Sequence, residues 1–153
     1  MNLTTKGEYA SRAVLDLAIH YEHGPVRIEE IARRQHIPKK YLEQVLLALK
    51  NAGLVYSVRG REGGYQLARP PEEIMLGEVI RATDGPLAPI SCVSQTAYRP
   101  CTCPDPVTCG LRTVWMEVRD AIAEVLDHTS MATIRQRCEE LQQQHQPALM
   151  YYI

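Results

Sequence analysis

The hydrophobic period of this chain changes abruptly at Gly53, and that change restricts the first half to a narrow set of folds. Before it, apolar residues recur at helical spacing. Tyr9, Ala10, Ala13, Val14, Leu17, Ala18 and Tyr21 share one face of a segment from Thr5 to Tyr21, closed by His23-Gly24-Pro25. Ile28, Ile31 and Ala32 share a face of a shorter segment, Ile28 to Gln35. A turn follows at Gln35-His36-Ile37, and Pro38 fits the first position of a third helix, where a missing N–H costs little. Leu42, Val45, Leu46 and Leu49 form the core side of that helix, and Gly53 suits the residue just past its end. Beyond Gly53 the residues alternate. Leu54-Val55-Tyr56-Ser57-Val58 reads as a strand and Gly64-Tyr65-Gln66-Leu67 as its return. The tip between them is Arg59-Gly60-Arg61-Glu62-Gly63, with Gly63-Gly64 expected to supply the positive φ angles of a tight hairpin.

Helices followed by a basic hairpin, in that order, make a winged helix-turn-helix. The fold class expected is therefore mainly α with a small β-hairpin wing. Pro70-Pro71 marks a boundary, and Leu76 to Ala82 can form one or two helical turns. From Asp84 to Thr108 the chain reads as a long irregular loop, because Pro86, Pro89, Pro100, Pro104 and Pro106 exclude regular structure. A long helix is expected over about Leu111 to Leu126. Its stripe, Leu111, Trp115, Val118, Ile122 and Val125, is heptad-like and predicts pairing with a second copy of the chain. The alternative is packing against the chain's own domain. A last amphipathic segment runs from Thr129, a candidate N-cap, to Gln144, with Met131, Ile134, Cys138 and Leu141 as its stripe. Cys138 there reads as a buried structural thiol. The expected division is 1–69 for the winged domain, 70–108 for a connecting segment and cysteine loop, and 109–144 for the dimerisation and C-terminal helices.

Charge supports that division. The net charge is −1, but residues 1–69 carry 11 Lys and Arg against 7 Asp and Glu, whereas residues 70–153 carry 6 against 11. A basic half joined to an acidic half suggests that the first half meets a polyanion. No apolar run is long enough to span a bilayer and the first residues lack a secretory segment, so a cytoplasmic protein is expected, with no membrane partner.

In a helix-turn-helix the second helix enters the major groove, where base pairs present distinct donors and acceptors. Lys39, Lys40, Tyr41, Glu43 and Gln44 lie at the N-terminal end of that helix. The lysines suit phosphates, Gln44 suits adenine and Glu43 suits cytosine. In the wing, Arg59 and Arg61 flank Gly60, which permits close backbone approach and offers guanidinium groups to phosphates or a narrow minor groove. Double-stranded DNA is the expected partner.

Five cysteines are present, and Cys92, Cys101, Cys103 and Cys109 fall in the irregular loop. In a cytosolic chain such a cluster points to metal or redox chemistry rather than a disulfide framework. Thiolates favour iron–sulfur chemistry. A disulfide from Cys101 or Cys103 to Cys92 or Cys109 would instead sense thiol oxidation, and structural zinc is a third possibility. A dithiol oxidoreductase using Cys101 and Cys103 is the reading from a different class; no nucleotide or substrate motif accompanies the pair, so no enzyme is expected.

Ile28-Glu29-Glu30-Ile31-Ala32, Tyr41-Leu42-Glu43-Gln44, Ala52-Gly53-Leu54-Val55, Ser57-Val58-Arg59-Gly60, Gly63-Gly64-Tyr65-Gln66-Leu67-Ala68, Leu76-Gly77-Glu78-Val79-Ile80-Arg81-Ala82 and Val114-Trp115 resemble the Rrf-two family of regulators. That family includes iron–sulfur (IscR-type) and nitric-oxide-sensing (NsrR-type) members. The resemblance implies a homodimeric transcription regulator acting on a palindromic operator, with Tyr41, Glu43, Gln44, Arg59 and Gly60 at DNA-contacting positions. Pro38 departs from the small polar residue common there. Cluster-binding members carry three cysteines in this loop, usually five residues apart; Cys103 and Cys109 keep that gap, Cys92 lies further off, and Cys101 is additional. Arg112 stands where some members have a ligating His. In others the remaining ligand is an acidic residue on the first helix of the partner subunit, and Glu8 stands at that position. The resemblance thus implies a [2Fe–2S] or [4Fe–4S] cluster.

Overall fold

The computed structural model describes residues 2–145; Met1 and residues 146–153, including Met150-Tyr151-Tyr152-Ile153, lie outside the described residues. Helix α1 spans Thr5–Ile19, α2 Ile28–Gln35 and α3 Lys39–Asn51, followed by strands β1 (Val55–Val58) and β2 (Gly64–Leu67). Helix α4 spans Leu76–Asp84, α5 Gly110–Asp127 and α6 Met131–His145. The architecture is thus mainly helical with one antiparallel hairpin.

Local chemistry sets most of these boundaries. The Thr4 hydroxyl caps α1 by accepting the Gly7 N–H at 3.1 Å, while Asp84 accepts the Thr4 N–H at 2.9 Å. This clasp ties the start of α1 to the end of α4. A side chain at Gly7 would strike it, because a Cβ there would lie 2.6 Å from the Asp84 carboxylate. Helix α1 ends at Ile19, two residues before Tyr21; a tighter 3₁₀ turn, Tyr21–His23, completes the segment and Gly24 at φ 83° reverses it. Between α2 and α3, His36 adopts the left-handed conformation at φ 52° and caps α2. Pro38, expected as the first helical residue, is instead the N-cap of α3: its ψ of 128° is extended, and its carbonyl accepts the Leu42 N–H at 2.9 Å. At the other end Gly53, at φ 73°, donates to the Lys50 carbonyl, and Leu54 donates to that of Leu49, both at 3.0 Å. That pair of bonds is a Schellman motif, and it turns the chain into β1.

The hairpin pairs Val55 with Leu67 through Val58 with Gly64. Its positive φ angles fall at Gly60 (110°) and at Gly64 (153°), so of the expected Gly63-Gly64 pair only Gly64 supplies one. Gly63 is required for space instead, since a Cβ there would overlap the Val58 carbonyl. Val26, just before α2, bridges Tyr65 through bonds of 2.9 and 2.7 Å, so the wing rests on the helical body.

The core lies where α1 meets α3, α4 and α6, with Leu17, Ile31, Leu42, Leu46, Leu49, Ile74 and Met131 fully buried. One charge lies within it. Asp16, 1% exposed, accepts Arg34 Nε at 3.0 Å and Nη2 at 2.8 Å, and Gln35 Nε2 at 3.1 Å. A buried carboxylate is tolerable because its lone pairs are filled this way. It also fixes the end of α2 against α1.

Helix α6 is capped by Ser130, whose hydroxyl accepts the Thr133 N–H at 3.1 Å, rather than by Thr129. The Thr129 hydroxyl donates to the Val125 carbonyl at 2.7 Å, and its own carbonyl accepts the Leu76 N–H at 2.9 Å. Cys138, expected to be buried, is half-buried, because α6 packs through Met131 and Ile134 while Leu141 further along is exposed. Helix α5 is anchored by Arg81 to Asp127, at 2.6 and 2.8 Å, yet none of its residues is buried. Leu111, Val114, Trp115 and Val125 stand in solvent, Leu111 at 72% exposure. Among the described residues no helix is long and apolar enough to cross a membrane.

Candidate nucleic-acid interface and cysteine loop

Because α3 buries Leu42, Val45, Leu46 and Leu49, its outer face presents Lys39, Lys40, Glu43, Gln44, Leu47 and Lys50 to solvent. Tyr41 is the exception within the expected set. It is half-buried, its ring meeting Tyr9 of α1 edge-on at 5.3 Å and 86°. Lys39 is already paired: its Nζ lies 2.9 Å from Glu29 of α2, which raises the lysine's pKa and lowers the carboxylate's. Lys40 projects at the exposed N-terminal end of α3.

Arg59, Gly60 and Arg61 are exposed at the wing tip. Arg27 donates to the Arg61 carbonyl, bracing the tip, and the Lys50 amine donates to the Ser57 hydroxyl at 3.0 Å, linking the end of α3 to β1. Sequence reasoning missed both. The Arg27 contact depends on Val26 meeting Tyr65, a pairing across 39 positions of sequence that no local pattern announces.

Arg12 joins the interface to the first helix. It donates to the Gln35 carbonyl at 2.9 Å, at the last residue of α2, and lies 4.7 Å over the ring of Tyr9. Glu8, one turn earlier, pairs with it at 3.5 Å. The Nε of Arg12 is buried with no partner among the described residues. Glu8 thus reaches the end of α2 through Arg12 and Gln35, while the next residue, Tyr9, meets Tyr41 of the recognition helix.

The four loop cysteines differ in setting. Cys92 is buried in a 3₁₀ turn, Ser91–Val93, whereas Cys101 and Cys109 are half-buried and Cys103 is exposed. They neighbour one another in series. The backbone N–H of Cys103, then its thiol, hold Cys101 below the ordinary thiol range, with Cys92 adding to the effect. Cys103 is pushed up to about 11, chiefly by Cys101 and further by Cys109. Among the described residues, no three His, Cys, Asp or Glu side chains of one chain converge as a bound ion requires. In chemistry the donor set fits an iron–sulfur group: four soft thiols on one loop, one biased toward thiolate.

A helix-turn-helix whose second helix is bare on its outer face, with an arginine-tipped hairpin beside it, defines a winged-helix DNA-binding protein. Residues 3–137 match the family model described as Rrf2, iron-dependent transcriptional regulator. The chain belongs to the Rrf2 family and is a DNA-binding transcription regulator. It is 34% identical over 153 residues to the HTH-type transcriptional regulator CymR of Bacillus subtilis, covering 100% of both chains. It is also 40% identical over 134 residues to the regulator IscR of Aliivibrio salmonicida, covering 88% of this chain and 77% of that one. Among solved structures, the B. subtilis CymR, described as a global cysteine regulator, superposes with a TM-score of 0.76 at 34% identity over 90% of this chain and 98% of that one. T. potens IscR also superposes at 0.76, with 37% identity over 99% and 97%.

Proposed function

We propose that this regulator works as a homodimer on a palindromic operator and that the loop from Cys92 to Cys109 sets its affinity by holding an iron–sulfur cluster. The observation that carries the DNA reading is the bare outer face of α3 beside the exposed wing tip. Gln44 and Glu43 read base edges in the major groove, and Lys39, Lys40, Arg59 and Arg61 hold phosphates, with Gly60 letting the wing backbone approach. Tyr41 acts from behind, fixing α3 against Tyr9. The dimer reading rests on α5, whose exposed Leu111, Val114, Trp115 and Val125 need a second copy to cover them. Paired helices would set the two recognition helices about 34 Å apart, one helical turn of DNA.

Cys92, Cys101, Cys103 and Cys109 would hold the cluster, with Glu8 of the partner subunit as the oxygen ligand. The cluster supplies redox chemistry and sensitivity to iron supply. The chain's own residues supply the coupling. A Glu8 carboxylate engaged as a ligand is withdrawn from Arg12, whose remaining contacts are the Gln35 carbonyl at the end of α2 and the ring of Tyr9, which packs on Tyr41 of α3. A Cys101 held toward thiolate favours a second reading, a cofactor-free switch in which Cys101 or Cys103 pairs with Cys92 or Cys109.

Anaerobic purification separates the two. A coloured protein whose visible absorbance is lost in Cys92→Ala and Cys109→Ala supports the cluster; colourless protein from iron-replete anaerobic cells rejects it and leaves the thiol switch. For DNA, Gln44→Ala and Arg59→Ala weaken operator binding in mobility shifts without disturbing the oligomer. Unchanged shifts would refute the placement of the interface.

A further inference from the structure

The cysteine loop is built as two unlike halves. From Ile90 to Arg99 the chain is knitted together: the Ser91 carbonyl accepts the Ser94 and Arg99 N–H groups, each at 3.2 Å, and the Ser94 hydroxyl accepts that of Ala97 at 3.0 Å. Cys92 and Val93 are 6% and 2% exposed, unusual for irregular backbone. From Pro100 to Thr108 the hydrogen bonds found among the described residues are those of one local turn, in which Asp105 accepts from Val107 and Thr108.

What separates the halves is a pair of arginines on α5. Arg112 Nε donates to the Cys92 carbonyl at 3.2 Å, and Arg119 Nη1 donates to the Val93 carbonyl at 2.7 Å. The two stand seven residues apart on one face of the helix, so one surface of α5 grips both carbonyls. A single 3₁₀ turn leaves its last carbonyls without partners, and charged donors satisfy them strongly. Arg119 is itself steadied, its Nε lying 2.8 Å from Asp120, and its side chain is only 14% exposed.

We propose that Arg112 and Arg119 are positioning residues that latch the Cys92 turn onto α5, making Cys92 the fixed anchor of the loop. Cys101, Cys103 and Cys109 are then the part that rearranges. The proposal builds on the reading of this loop as the regulatory element, and it places the anchor on the helix that also carries the exposed Leu111, Trp115 and Val125, beside that apolar stripe. Arg112 therefore serves the Cys92 backbone rather than replacing a ligand.

The test is thiol reactivity in the full-length, metal-free, reduced protein, treated with N-ethylmaleimide and followed residue by residue by mass spectrometry. Cys92 is expected to react at least about tenfold more slowly than it does in the urea-unfolded chain, because in the folded protein it must wait for local opening. Arg112→Ala/Arg119→Ala brings Cys92 close to its unfolded-chain rate, with far-UV circular dichroism and melting monitored as controls. Arg119→Lys, which keeps a cationic donor, restores much of the protection. The single Arg112→Ala, removing only the longer bond, accelerates Cys92 severalfold and serves if the double variant melts early. Equal Cys92 rates in the folded and the urea-unfolded unaltered protein overturn the proposal, as does undiminished protection of Cys92 in a folded double variant. Because this readout uses metal-free protein, a colourless preparation defeats the cluster reading while leaving the latch standing. If the protein is coloured, the double variant should also shift its visible spectrum, and Arg119→Lys should return it.

Discussion

Replacing Asp16 by alanine should destabilise this protein more than any single surface substitution, and the structure indicates by how much. Asp16 is 1% exposed and accepts two bonds from Arg34 and one from Gln35. Asp16→Ala removes the acceptor and leaves a guanidinium and an amide facing the hole. Removing one partner of a buried ion pair costs about 3–5 kcal/mol. Arg34 retains 26% side-chain exposure and can be partly rehydrated, so the lower end, about 3 kcal/mol, applies. For a chain of this size about 1 kcal/mol lowers the melting temperature by roughly 2–4 °C, giving a fall of about 6–12 °C. Asp16→Asn keeps the shape and one acceptor but not the charge, and should cost about half as much. Thermal and urea unfolding at one fixed protein concentration measure both, since dimerisation shifts the midpoint. The cycle Asp16→Ala, Arg34→Ala and the double variant then isolates the pair, with a coupling of about 1–3 kcal/mol expected. A fall of less than about 2 °C in Asp16→Ala, or strict additivity in the cycle, would refute the view that this pair holds α2 to α1.

Other outcomes follow from the same geometry. Trp115→Asp or Leu111→Asp places a charge on the apolar face of α5 and should yield monomers by sedimentation, with operator affinity falling more than tenfold; an intact dimer would remove α5 from the interface. Arg12→Ala cuts the link from Glu8 to Gln35, so operator binding should stop responding to iron chelation while remaining salt-sensitive; a preserved response would sink that route. Asp127 is held below the usual carboxylate range by the Arg81 guanidinium. A depressed carboxylate contributes stability above its unfolded pKa of about 4, lost as pH falls through the folded value. Because Asp127 is over a third exposed the effect is small, under about 1 kcal/mol, and Arg81→Ala should flatten the melting-temperature profile only on the acid side of about pH 4.

The parts of the fold readable in advance were those with local causes. The α2 boundaries, the buried face of α3 and the turn at Gly53 follow from helical periodicity and from a glycine that alone reaches φ 73° without strain. The wing strands were equally legible, since alternation and glycine spacing are short-range signals. Errors fell where two neighbouring residues could serve one role. Ser130 rather than Thr129 caps α6 because the Thr129 backbone is already bonded to Leu76. Gly63 is present for the Val58 carbonyl rather than for its own φ. Tyr41 lies on a helix face that periodicity alone leaves open, and the approach of Tyr9 from α1 leaves it half-buried.

The candidate site divides along the same line. Which residues could meet DNA or hold a cluster was evident from type and spacing: lysines and Gln44 at the start of α3, arginines around Gly60, cysteines in a proline-rich loop. How they are held was decided by contacts between distant segments: Asp16 with Arg34, Arg12 with Gln35, Arg27 with Arg61, and Arg119 with Val93. A side chain's chemistry and its helical phase are properties of a few consecutive residues. The partner its charge finds depends on which elements pack together, and that is settled only when the apolar faces of the whole chain are buried at once.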